Sequence, residues 1–131
     1  MNKLSGQILK QTKVDDLCLL EIDLGSTVFK SIVIEENKVS TYQVGENVEL
    51  FFKETEVVLT KDLTISISLQ NRLEGVVESI NKGELLSVVK IKYNHQIITS
   101  IITTSSLNRL GVNEKDEVLA LIKTNEIMIS K

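Results

Sequence analysis

Two segments of the chain repeat one another, and together they decide the fold. Residues 71–80 read NRLEGVVESI, and residues 2–11 read NKLSGQILKQ. When Gly6 is placed on Gly75, a shift of 69 positions, the asparagines that open the two segments also coincide. Similarity of a chain to itself at a fixed period is the signature of a duplicated structural unit.

The repeat continues along the rest of the chain, mostly at apolar positions. A single insertion in the second copy changes the shift from 69 to 70 positions before Val48 is reached. The further matches are Leu17/Leu86, Leu20/Val89, Ile22/Ile91, Val28/Ile97, Ser31/Ser100, Val48/Val118, Lys53/Lys123, Val57/Ile127 and Leu59/Ile129. We therefore predict two modules, residues 1–62 and 63–131. A module of about 65 residues has a marginal core and often needs association or a bound ligand.

Each copy reads as short runs of Val, Ile and Leu that end at turn residues, which is typical of β-strands. The predicted strands are Leu4–Leu9, Leu17–Leu24, Thr27–Ile34, Asn47–Phe52 and Glu56–Leu59, then Leu73–Ile80, Leu85–Tyr93, Gln96–Thr103, Glu117–Ile122 and Glu126–Ile129. The alternation over Ile65–Ser68 predicts an extra strand. Ser105 to Gly111 predicts a short helix with a serine cap and a glycine end. The pattern favours an all-β protein of two tandem small OB-like five-stranded β-barrels, each with a short helix.

Composition excludes several classes of protein. Hydrophobic residues make up 42% of the chain, charged residues 25%, and the net charge is −3, which is unlike a general nucleic-acid binder. The single cysteine, Cys18, lies in an apolar run and is expected to be buried. His95 is the only histidine, so no metal-ligand spacing or nucleophile–base pair is legible, and we expect no enzyme. With neither a secretory segment nor a membrane span, the chain is expected to be cytoplasmic.

Three segments of the second copy carry a family resemblance. They are residues 68–75 (SLQNRLEG), 102–111 (ITTSSLNRLG) and 117–124 (EVLALIKT). In order and spacing they resemble the Mop, or TOBE, domain, whose pattern opens with Ser-Ala-Arg-Asn, continues with Ile-Thr-x-x-Ser before a helix ending in Leu-Gly, and closes with Glu-Val and Ile-Lys. Two such modules with nothing else attached look like the di-Mop molbindins.

The resemblance implies a binding protein for molybdate or tungstate. It implies a homotrimer that holds oxyanions at subunit or module interfaces, for intracellular molybdenum or tungsten storage, homeostasis or sensing. Such tetrahedral dianions need converging hydrogen-bond donors and cations. By family position the oxyanion-binding residues are Ser68, Gln70, Asn71, Arg72, Thr103, Ser106, Lys123 and Thr124, with Lys53 as the counterpart in the first copy.

The sequence departs from the family pattern in both copies. Gln70 stands where the family has arginine, although Arg72 lies on the same face of an extended strand. The first copy has lost most donors: Ile34 and Asn37 replace Thr103 and Ser106, Glu35 and Glu36 lie between them, and Glu54 replaces Thr124. We therefore expect the first copy to be mainly scaffold, or to contribute Lys53 to a mixed site. Lys123→Ala should then abolish most binding and Lys53→Ala should be milder.

Two other functions are compatible with the fold pattern. The chain could be a ligand-sensing module that acts with a separate transporter ATPase or transcription regulator. It could also be an OB-type nucleic-acid binder, but it has only three phenylalanines and two tyrosines for base stacking and is acidic. Sequence does not separate molybdate from tungstate.

Overall fold

A computed structural model describes residues 1–35 and 41–131. The elements of the first half are β1 (Asn2–Val14), β2 (Leu17–Asp23), β3 (Val28–Ile34), β4 (Asn47–Phe52), a 3₁₀ turn (Glu54–Glu56) and β5 (Val58–Thr60). Those of the second half are β6 (Asn71–Lys82), β7 (Leu86–Tyr93), β8 (Gln96–Thr103), α1 (Thr104–Leu110), β9 (Glu117–Ile122), a 3₁₀ turn (Thr124–Glu126) and β10 (Met128–Ser130). Two five-stranded sheets and one short helix confirm the all-β prediction of two small barrel-like modules.

Each half gives its last strand to the sheet of the other half. The strand orders are β10-β4-β1-β2-β3 and β5-β9-β6-β7-β8, and neighbouring strands are antiparallel. In the first sheet Ile129 pairs with Leu50, and in the second Leu59 pairs with Ala120. Neither half completes its five-stranded sheet alone.

Buried asparagines fasten the two halves together in a pseudo-symmetric way. The side-chain amide of Asn71 donates to the carbonyl of Lys30 (2.9 Å) and accepts from its N–H (2.7 Å). Asn2, the equivalent residue of the first half, makes the same pair of bonds with Thr99, at 2.8 Å each. Each amide thus satisfies the backbone of an edge strand that has no strand neighbour there.

The apolar face of both sheets forms one core. Strand alternation buries Leu4, Leu20, Ile22, Leu73, Val89 and Ile91, and the rings of Phe29 and Phe52 pack 6.5 Å apart. Cys18 is completely buried, as predicted. Gly6 and Gly75 occupy equivalent tight positions, because a Cβ on either would lie 2.5 Å from the Cγ2 of an isoleucine on the neighbouring strand.

The structure corrects the prediction of a strand over Ile65–Ser68. Residues 61–70 form no strand. Asp62 instead accepts from the N–H of Thr64 at 3.1 Å, which bends the chain, and the carbonyl of Ile65 accepts from Arg72. The free edge of β9, where such a strand could pair, is taken by β5 of the first half.

The helix prediction is confirmed for the second copy with one correction. The helix begins at Thr104 and its cap is Thr103 rather than a serine, while Gly111 ends it in the left-handed conformation with φ of 66°. The helix predicted for the first copy falls mainly on residues 36–40, outside the described residues. Within the described chain, no helix has the length and apolar character needed to cross a membrane.

Candidate functional site

Thr103 and Ser106 form the hydroxyl pair that the sequence places in the site. Thr103 ends β8, and its Oγ1 accepts from the backbone N–H of Ser106 at 3.1 Å. The same hydroxyl donates to Ser106 Oγ at 2.9 Å. Because Ser106 Oγ accepts this bond, its own hydrogen remains to donate to a ligand.

The hydroxyl pair borders a cleft of about 350 Å³ between the two halves. One wall is the first 3₁₀ turn with β5, and the other is the end of β8 with α1. Its lining comprises Thr55, Val57, Val58, Leu59, Ile101, Ile102, Thr103, Ser106, Arg109 and Leu110. The cleft therefore offers three hydroxyls and one guanidinium on an apolar background, and no carboxylate of the described residues lines it.

Three other cavities carry carboxylates and are less suited to an anion. The cavity around Arg72, about 440 Å³, includes Glu74. A cavity beside Gly6 includes Asp23 and Glu49, and a smaller one beside Gly75 includes Glu74 and Glu117. A fourth, at the end of α1, is lined by Lys82 and asparagines but by no hydroxyl. Of these cavities, the cleft at Thr103 alone combines hydroxyl donors and a cation with a lining in which no described carboxylate takes part.

The remaining predicted residues of the second copy form a separate group at the start of β6. Asn71 pairs with Ile122, so Gln70 and Lys123 lie at the same end of the sheet. Ser68, Gln70 and Lys123 are exposed. Arg72 donates to the carbonyl of Ile65 at 2.6 Å, and the buried amide of Asn71 is bonded to Lys30. Thr124 begins the second 3₁₀ turn.

Within the second half these two groups lie at opposite ends of β6. Thr103 pairs with Leu86, next to the end of β6 at Lys82, whereas Asn71 begins that strand. The strand exchange instead brings together residues of different halves. The turn that follows Lys53 packs on β8 of the second half, and the turn that follows Lys123 packs on β3 of the first.

Comparison with known proteins agrees with this arrangement of modules. The family model of the TOBE domain matches residues 67–129. Two relatives from Clostridium pasteurianum, molybdenum-pterin-binding proteins 1 and 3, are 39% and 38% identical over 66 residues, which is 97% of each relative and 50% of this chain. The chain belongs to the TOBE domain family.

A solved structure is similar in fold to both halves of the chain. The cytoplasmic molybdate-binding protein ModG, in a form with molybdate bound, superposes with a TM-score of 0.91 over 98% of this chain and 94% of that protein. The identity is 22%, so the likeness establishes the two-module fold. A molybdate-binding protein from Sporomusa ovata is 31% identical, with a TM-score of 0.50, over 51% of this chain and all of its own length.

The first half of the chain places a carboxylate where the second has a hydroxyl. Glu54, the counterpart of Thr124, lies 3.1 Å from the N-terminal ammonium of Met1. The N–H of Glu54 itself, followed by that ammonium, holds the pKa of the carboxyl below its ordinary value, so it is charged near neutral pH. Ile34 is exposed and offers no donor, and Glu35 is buried beside Lys13. Glu36 and Asn37 lie outside the described residues.

Sequence reasoning missed two residues that line the cleft. Arg109 follows Thr103 and Ser106 at intervals of three, which places all three along one side of a helix. That spacing was legible in the sequence. Thr55 gave no such signal, because it reaches the cleft only through the exchange of β5 between the halves.

Proposed function

We propose that this chain binds molybdate or tungstate in the cleft between its two halves, for storage, homeostasis or sensing of the metal. The observation that carries the proposal is the lining of the cleft. Among the residues that the structure describes, it has hydroxyls at Thr55, Thr103 and Ser106, a guanidinium at Arg109, and no carboxylate. The names of its relatives support the ligand class, since they are described as molybdenum-pterin-binding or molybdate-binding proteins.

The chemistry of the cleft suits a tetrahedral dianion. Such an ion presents acceptor oxygens in four directions and has no hydrogen to donate near neutral pH. The chain of bonds from the N–H of Ser106 through Thr103 leaves the Ser106 hydroxyl oriented as a donor. Bonds between a donor and a charged acceptor contribute about 1.5–3 kcal/mol each, roughly twice a neutral bond.

The group at the start of β6 belongs to the same proposal as a second set of donors. Ser68, Gln70, Arg72, Lys123 and Thr124, with the backbone held by Asn71, would meet an oxyanion where a second copy of the chain approaches. Lys53 occupies the equivalent place in the first half. We propose a cytoplasmic homotrimer without catalytic activity. Exposed apolar side chains at Ile34 and Leu85, 75% and 82% exposed, support association of this kind.

Isothermal titration calorimetry of metal-free protein tests the proposal. Molybdate and tungstate should each give saturable heat, while sulfate, a smaller tetrahedral dianion, should bind more weakly. A buffer matched in ionic strength separates specific binding from screening of the surface charges. The proposal fails if neither metal oxyanion gives heat above dilution.

A further inference from the structure

We infer that Arg109 and Thr55 complete the oxyanion cleft, Arg109 as its source of charge and Thr55 as a donor brought from the other half of the chain. This inference rests on the proposed function and names the residues that set its affinity. Thr55 lies outside the three segments by which the sequence resembles the family, and Arg109, although it lies within the second of them, is not one of the positions that define the family pattern.

Arg109 is the cation that lines this cleft. It lies in the last turn of α1 on the side that carries Thr103 and Ser106. No described carboxylate forms an ion pair with it, and its side chain is exposed. A chain of net charge −3 repels a dianion at long range, so binding needs a local cation. A guanidinium can donate two parallel bonds to an oxyanion.

Thr55 is held at the opposite wall by a well-anchored turn. The N–H of Glu56 donates to the carbonyl of Lys53 at 3.0 Å, and Ser100 donates to the carbonyl of Val57 at 2.8 Å. Directly after the turn, β5 pairs with β9. These bonds fix the turn to the second half, so the Thr55 hydroxyl reaches the cleft at little additional cost in conformational entropy.

The position of Thr55 makes the site a bridge between the halves. A ligand bonded to Thr55 on one side and to Ser106 and Arg109 on the other joins the first 3₁₀ turn to α1. Apolar side chains around it, among them Val57 and Ile102, lower the local dielectric and strengthen each bond. Binding should therefore also slow the opening of residues 54–60, which can be measured separately from affinity.

Two substitutions and two matched controls test the inference in the full-length protein. Arg109→Gln should weaken molybdate binding on the order of 10- to 100-fold, and Thr55→Val about tenfold, as expected for loss of a bond to a charged acceptor. Lys90→Gln also removes one positive charge, and Thr12→Val makes the same change as Thr55→Val. Both positions are exposed, on β7 and β1, and lie outside the cleft, so the affinity should stay unchanged. Circular dichroism and thermal unfolding verify that each variant is folded.

Hydrogen exchange supplies the second measurement. Saturating molybdate should protect residues 54–60 in the wild type, and this protection should be lost in Thr55→Val at a concentration that still saturates the site. If the wild type binds molybdate but both cleft variants keep full affinity, the inference is overturned while the proposed function stands. If the wild type does not bind at all, both are overturned.

Discussion

Asn71 lies at a position that the family pattern associates with the ligand, but its side chain joins the two halves of the chain. Its amide is fully buried and bonds both backbone groups of Lys30, and Asn2 does the same at Thr99. The sequence aligns the two asparagines, but it gives no sign that each reaches into the other half. A local motif reports residue types and spacing, whereas partners 41 and 97 positions away depend on the whole topology.

Removing the side-chain amide of Asn71, which bonds the backbone of Lys30, should destabilise the protein. Asn71→Ala leaves the N–H and carbonyl of Lys30 without partners, and we expect a loss of about 2–4 kcal/mol in the free energy of unfolding. Asn81→Ala, at an exposed position of the same strand, should change it by less than about 0.5 kcal/mol. Urea unfolding of the two variants makes the comparison. Equal stability of both would show that the buried amide is dispensable.

Lys53 and Lys123 each precede one of the two 3₁₀ turns, and substituting them tests which of these turns faces the ligand. The sequence alone favours Lys123 as the dominant cation. The strand exchange, however, packs the turn of Lys53 on β8, the strand that ends at Thr103. We therefore expect Lys53→Ala to weaken molybdate binding at least as much as Lys123→Ala. Calorimetry on both variants decides, and a large loss confined to Lys123→Ala would favour the original expectation.

At the scale of elements, the positions of the strands were predictable but the partners of two strands were not. Alternating apolar residues and turn signals located β7 and β8 to within one residue. The short strands β5 and β10 carry the same apolar pattern, since Val57 and Leu59 match Ile127 and Ile129. Either strand fits either sheet by pattern, so only the path of the connecting segments determines which one pairs where.

The exchange of β5 and β10 between the two sheets predicts how the second half of the chain behaves alone. A fragment of residues 63–131 lacks the strand that covers β9, and its own β10 has no sheet to join. We expect two fragments to exchange β10 reciprocally and form a dimer, because β10 matches β5 at a shift of 70 positions. Sedimentation or light scattering measures the mass. A stable, cooperatively unfolding monomer would contradict this account of the exchange.

At the scale of the whole molecule, the duplication preserves the fold and divides the chemistry unequally. The second half supplies Thr103, Ser106 and Arg109, and the first half supplies Thr55 through its turn. The first half also leaves apolar side chains exposed on paired positions, Leu17 and Ile34, at the end of its sheet. An exposed apolar pair of this kind, with the exposed Leu85 of the second half, is consistent with the proposed association of three chains.

Native mass spectrometry of the metal-free chain, before and after addition of molybdate, tests oxyanion binding and assembly in one measurement. We predict a trimer whose mass rises by several whole molybdate units and does not rise when sulfate replaces molybdate at the same concentration. A mass that stays unchanged at saturating molybdate would contradict the central claim. A monomer that gains molybdate would preserve the binding site and overturn the proposed trimer.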